Sequence, residues 1–149
     1  MGWFRKLPLL VAGILAACAG KPPPGLGVRD GRLAACPRSP NCVSSQADDD
    51  RHRIAPLAVH GDPDEAWARL RELLAARADT RVVDSGEDYL RVEFRTRLGF
   101  VDDAEFALER QTRAIHVRSA SRVGYSDLGK NRGRVEELRE ALESRVPSP

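Results

Sequence analysis

The chain has 149 residues, which by length allows one domain, and its 42% hydrophobic and 31% charged content is that of an ordinary soluble protein. Only 5% of residues are aromatic, so the core is expected to consist of Leu, Val and Ala rather than stacked rings. The formal net charge of +2 comes from Arg5 and Lys6; without residues 1–17 there remain 22 residues of each sign, a balance that excludes the basic excess of a nucleic-acid binder and a polybasic membrane-surface segment.

Met1 to Lys6 is a short start with two positive charges, and Leu7 to Ala17 is an apolar run. A spanning helix needs roughly 20 apolar residues, so this run is too short to be one and has the form of a secretory signal. The alternative is a short membrane anchor or a buried helix. The run ends Leu15-Ala16-Ala17-Cys18, which resembles the bacterial lipobox. That resemblance implies a diacylglycerol on the Cys18 thiol and cleavage before it, so that residues 1–17 are a signal peptide and the membrane is a partner through the lipid. Two or three acyl chains anchor stably where one would not. Ala19, rather than Asp, favours the periplasmic face of an outer membrane. An N-myristoylation reading of Met1-Gly2 is opposed by Lys6.

Residues 18–35 comprise the lipidation site Cys18 and a Pro/Gly-rich stretch. Ala19 to Val28 has little to bury and is expected to act as a tether, semi-rigid at Pro22-Pro23-Pro24, that carries the domain clear of the headgroups. With Cys18 assigned to lipid, Cys36 and Cys42 remain. An even pair in an exported protein reads as one disulfide. A redox pair or half a metal site is the alternative, opposed by the five-residue spacing and by the lack of His or Cys at ligand distance.

The remaining chain, residues 36–149, is expected to form a single α+β domain. Asp62-Pro63-Asp64-Glu65 is a helix start, and Ala66, Trp67, Leu70, Leu73 and Leu74 follow on one stripe as far as about Arg77. Arg53 to Val59 is a candidate edge strand interrupted by Pro56. Strands are expected at Arg81–Asp84, Tyr89–Thr96, Phe100–Leu108 and Ala114–Ser121, joined by hairpin-length connections. Leu90, Val92 and Phe94 alternate with Arg91, Glu93 and Arg95, the pattern of an antiparallel sheet with one buried and one polar face. A last helix, Asn131 to Arg145, carries Val135, Leu138 and Leu142 inward. The expectation is a two-layer domain of about five strands with two helices on one face, in the order β-α-β-β-β-β-α, similar to a small helix-grip fold by analogy only.

Two stretches carry a family resemblance: Cys36-Pro37-Arg38-Ser39-Pro40-Asn41-Cys42-Val43-Ser44-Ser45-Gln46, and the run from Arg118 through Gly124-Tyr125-Ser126-Asp127-Leu128-Gly129-Lys130-Asn131-Arg132 to Arg134-Val135-Glu136. With Gly99-Phe100-Val101-Asp102-Asp103 between them, they resemble the bacterial domain-of-unknown-function family numbered fourteen ninety-nine, also found in plastids. The resemblance runs from about Leu26 to the C-terminus. It implies a small exported or membrane-associated domain and no catalytic role for any residue.

The segment Arg118 to Arg134 leaves a strand, turns through two glycines and enters a helix near Asn131. Free N–H groups at a helix start favour anions, so Arg118, Ser119, Ser121, Arg122, Tyr125, Asp127, Asn131, Arg132 and Arg134 are candidate ligand-binding residues for a carboxylate or a lipid or sugar phosphate. The structural alternative has Ser and Asp tying down the turn, Asn131 capping the helix and the arginines paired with acids. Asp102, Asp103 and Glu105 form a candidate acidic patch, weighed against ordinary cross-strand ion pairs with Arg91, Arg95 and Arg118. His52, His60 and His116 are expected at the surface. No metal site, cofactor or catalytic motif is expected, and Gly124–Gly129 lacks the glycine spacing of a nucleophile elbow. The function expected first is a non-enzymatic periplasmic module that binds a small anionic ligand or an envelope protein. The second is an envelope enzyme using Asp102, Asp103 or Glu105 with Arg118 and Tyr125. They are discriminated by whether the acids and the Arg118–Arg134 segment line one pocket.

Overall fold

The computed structural model describes residues 19–144; the expected signal peptide, Cys18 and Arg145 lie outside the described residues. Asp62 begins the first helix through its own side chain. Its Oδ1 accepts from the N–H of Asp64 at 2.7 Å and of Glu65 at 3.2 Å, and Pro63 takes the first helical position. Helix α1, Pro63–Ala75, buries Ala66, Trp67, Leu70 and Leu74 along the expected stripe.

Helix α2, Lys130–Glu143, buries Val135, Leu138 and Leu142 as expected but starts in another way. Gly129 is the N-cap at φ 79°, a left-handed conformation open to glycine. The capping carboxylate is Asp127, which accepts from Gly129 N–H at 3.1 Å and from Asn131 N–H at 2.8 Å. Asn131, expected as the cap, is instead the second helical residue, and its amide turns into the interior.

The six strands are β1 (Cys42–Ser44), β2 (Leu57–Ala58), β3 (Thr80–Ser85), β4 (Tyr89–Arg95), β5 (Val101–Glu109) and β6 (Ala114–Ser121). Every strand pair is antiparallel, in the order β1-β6-β5-β4-β3, and β2 pairs with the same outer edge of β6 as β1 but at its other end. The α+β class, the helices on one face and the β-α-β-β-β-β-α order hold, with β1 added by the second cysteine. The strand expected across Arg53–Val59 contracts to two residues after Pro56, which has no N–H to give a ladder. Arg53 meets Ser44 in an isolated parallel bridge.

One face of the sheet forms the core. Leu90, Val92, Phe94, Ala104, Phe106, Ile115 and Val117 are buried there against Trp67, Leu70 and Leu74 of α1 and Val135 and Leu138 of α2. Each large apolar side chain so placed contributes about 1.5–3 kcal/mol. Among the described residues no helix is long and apolar enough to cross a membrane.

The opposite face departs from expectation. It is polar but not solvated: Asp103 and Glu105 are fully buried, and Arg118 and Glu93 nearly so. The cover is the segment before β1. Gly27 N–H donates to Glu105 Oε1 at 2.6 Å, and Leu33, itself buried, is held by Gln46 Oε1 at 2.8 Å. The Pro/Gly stretch expected to bury little thus lies on the sheet, and the disulfide joining Cys36 to Cys42 closes the loop that leads from it into β1.

Candidate functional site

Adjacent residues of a strand face opposite ways, so Asp102 and Asp103 of β5 enter different environments. Asp102 faces the helices. Its Oδ2 accepts from Arg134 Nη2 at 2.9 Å, and the Arg134 guanidinium lies 4.2 Å above the Phe94 ring. Arg134 Nη1 also donates to Asn131 Oδ1 at 3.1 Å, and Ser119 Oγ donates to the same oxygen at 2.6 Å. The Asn131 amide nitrogen has Ser121 Oγ, Asp127 Oδ2 and Asn41 O as acceptors at 3.0, 2.8 and 3.3 Å. Asn41 in turn donates to Gly124 O at 2.7 Å. This knot brings together Asp102, Ser119, Ser121, Asp127, Asn131 and Arg134, and ties the cysteine loop, β6 and α2 into one body. Its polar groups satisfy one another, as buried polar groups must.

On the other face, the register sets Arg118 beside Glu105, Glu105 beside Arg91, and Asp103 beside Glu93. Arg122 donates to both Asp103 oxygens at 2.7 and 2.8 Å and to Glu93 Oε1 at 2.5 Å. Arg81 takes Glu93 Oε2 at 2.7 Å, and Arg91 approaches Asp103 to 3.6 Å. Tyr89 Oη donates to Glu105 Oε1 at 2.9 Å, and burial, reinforced by the Glu105 charge, pushes its phenol far above the ordinary range.

Arg118 is the exception in this cluster. It is 4% exposed, and its nearest acid atom is Glu105 Oε2 at 3.5 Å. Its Nε and Nη1 have no hydrogen-bond acceptor, and Glu105 Oε2 has no donor. Burial pulls the guanidinium below its usual value, against the opposing pull of Glu105 and Asp103. Beside it opens a cleft of about 450 Å³, floored by Asp103, Arg118 and Arg122 and walled by Lys21, Pro23 and Leu26 on one side and the disulfide loop on the other.

The remaining candidates lie elsewhere. Tyr125 is 72% exposed, and Arg132 donates to Arg51 O at 3.2 Å on the surface. His52 is buried, contrary to the surface expected for it: its ring bridges the Asp49 carboxylate at 2.8 Å and Ser39 O at 3.1 Å, fastening the cysteine loop. His116 contacts Ser45 Oγ at 3.2 Å and Glu109 at 3.0 Å. Among the described residues no three His, Cys, Asp or Glu side chains are grouped so as to hold a metal ion. Sequence reasoning missed Tyr89 and Gly27 as partners of Glu105. Tyr89 carried a signal, since it shares a face with Arg91 and Glu93; Gly27 carried none.

Two carboxylates here give a pH dependence. Burial alone would raise Glu93, but the hydrogen bonds from Arg81 and Arg122 outweigh it and hold it below the usual range; Asp79 is held low by Arg77. A lowered native value stabilises the fold above the unfolded carboxylate range, and that stabilisation is lost as pH falls through the native values. Urea unfolding is therefore expected to give a flat stability from pH 7 to about 5 and a decline below about 4. Glu93→Gln should make the decline shallower.

Over residues 32–142, from the end of the covering segment into α2, the chain matches the family model described as a protein of unknown function, DUF1499. No curated protein matches the chain.

Proposed function

The chain belongs to the DUF1499 family of proteins of unknown function, and from its polar centre we propose a lipid-anchored envelope protein whose cleft beside Arg118 binds a small ligand through a carboxylate or phosphate group. The carrying observation is the buried Arg118 guanidinium, whose Nε and Nη1 meet no acceptor. A buried guanidinium whose N–H groups lack acceptors costs free energy that a well-placed anion would recover. The acids around it serve it only in part, since Glu105 Oε2 stays 3.5 Å from Nη1. Asp103 is taken twice by Arg122, and Glu105 Oε1 already accepts from Tyr89 and Gly27. A ligand anion entering the cleft would offer two oxygens to the guanidinium fork, a pairing that a lysine cannot reproduce. Lys21, on the cleft wall, adds a second positive charge.

The enzyme reading finds less support, since of its three acids only Asp103 lines the cleft with Arg118 and Arg122. Asp102 is on the opposite face from Asp103 and Glu105, Asp103 is held by Arg122, and Tyr125 is exposed. Location rests on the signal-like segment and the lipobox resemblance at Cys18.

The test is a calorimetric titration of the full mature protein, purified from membranes, with inorganic phosphate and with a short dicarboxylate. Intact mass, read on the same sample, is expected to show diacylglycerol on Cys18. Arg118→Lys keeps the charge beside Glu105 and is expected to weaken binding about tenfold or more. Equal affinity in the wild type and Arg118→Lys would overturn the site, and a bare Cys18 would overturn the anchor.

A further inference from the structure

Gly20 and four of the six exposed large hydrophobic residues among the described residues lie at one end of the sheet. Gly20 rests on the strand exit at Arg122 and Val123: a Cβ placed on it would come 3.0 Å from Arg122 Cβ and 3.1 Å from Val123 Cγ1. Cys18 precedes Gly20 by two residues, so covalent reach alone keeps the two Cα atoms within about 7 Å of each other. Two loops project from the same end. The β4–β5 hairpin carries Leu98 and Phe100, and the loop from β6 to α2 carries Tyr125 and Leu128. Leu98, Phe100, Val123 and Leu128 border a hollow of about 450 Å³.

These side chains are exposed to a degree that large apolar groups rarely are. Leu98 is 74% exposed, Tyr125 72% and Leu128 94%. Of the six exposed large hydrophobic residues in the described chain, four lie on these two loops, so the apolar surface is concentrated rather than scattered. Leu128 has φ 53°, a left-handed conformation that a leucine adopts only under constraint. The hollow is lined by two bases, Arg97 and Lys130, and two acids, Asp102 and Asp127, which differ in their partners. Arg97 and Lys130 pair with no acid among the described residues, whereas the two carboxylates are already engaged, Asp102 by Arg134 and Asp127 by Asn131.

We propose that this end of the domain docks on the membrane that holds the lipid. Leu98, Phe100 and Leu128 enter the interfacial layer, and Arg97 and Lys130 meet anionic headgroups. The occupant is a bilayer because the described chain begins beside the patch and because the charges left without a partner around its apolar centre are cationic. The inference rests on lipidation at Cys18 and replaces the expectation of a domain held clear of the headgroups. Docking sets the long axis of the sheet away from the membrane and keeps Lys21 and the Arg118 cleft near the lipid surface.

The test uses full mature protein purified from membranes, with diacylglycerol verified by mass, in vesicles of phosphatidylethanolamine and phosphatidylglycerol at a ratio of about 3:1, a composition that supplies anionic headgroups. Leu98→Trp reports the docking end. Gln111→Trp reports the β5–β6 turn at the far end of the sheet. Brominated acyl chains are expected to quench the tryptophan in Leu98→Trp at least about twofold more than that in Gln111→Trp, and Arg97→Glu with Lys130→Glu is expected to reduce that difference. Lipidated protein that floats with the vesicles and shows equal quenching at both positions overturns docking alone. A sample without diacylglycerol overturns the anchor and docking together, and the phosphate titration of the cleft stands apart from both.

Discussion

Asn131→Ala is expected to lower the unfolding free energy by about 3–5 kcal/mol, measured by urea denaturation. The substitution deletes one amide but strands several groups at once. Ser119 Oγ and Arg134 Nη1 lose the oxygen they share, and the Asn41 carbonyl is left with the Ser121 N–H alone. Asn131 and Ser119 are fully buried, so water does not replace what is lost. Each stranded group costs about 1–3 kcal/mol. The effect should also reach the cysteine loop, since Asn131 bonds the backbone just before Cys42. Arg132→Ala, one position on, removes only a surface contact to Arg51 and is expected to change stability by less than about 0.5 kcal/mol. Equal effects of the two substitutions would mean that the knot does not hold the fold.

Arg122→Met is expected to cost about 3–5 kcal/mol, because it leaves the fully buried Asp103 with only Arg91 at 3.6 Å. Glu93 then keeps Arg81 but faces Asp103 across the β4–β5 pair without the cation that joined them. Adding Asp103→Asn removes the stranded charge and should recover part of the loss. Measured as a double-mutant cycle, the pair should show a coupling of at least about 1 kcal/mol, and strictly additive effects would mean that the ion pair carries no stability.

These two positions also show what the residues disclose in sequence. Alternation in β4 through β6 placed the apolar core correctly, because a sheet with helices on one side demands a strict period of two. The same alternation placed Arg91, Glu93, Asp103, Glu105 and Arg118 together on the other face. It left open whether water or protein covered them. The cover comes from Ala19–Leu33, whose prolines and glycines have no periodicity to read, and whose key contact is a backbone N–H at Gly27. Arginine roles were legible only as a set. Arg122 and Arg134 pair with acids at hydrogen-bond distance, the structural alternative, while Arg118 only approaches Glu105 Oε2 to 3.5 Å. That difference depends on which acids are already engaged by Tyr89, Gly27 and Arg122, and no pattern in the sequence carries it. Asn131 was misread as a cap because Asp127, four residues earlier, reaches the helix start across Gly129.

The central claim is that the buried Arg118 guanidinium, held only by a 3.5 Å approach to Glu105, receives an anion from the cleft beside it. It is tested most directly by nuclear magnetic resonance of arginine Nε–H groups during addition of inorganic phosphate to the full mature protein. The Arg118 signal is assigned by its loss in Arg118→Lys. A saturable shift of the Arg118 signal is predicted, with Arg122 Nε, already given to Asp103, moving little. An Arg118 signal that stays still, or that drifts without saturation together with exposed Arg132, would contradict the account.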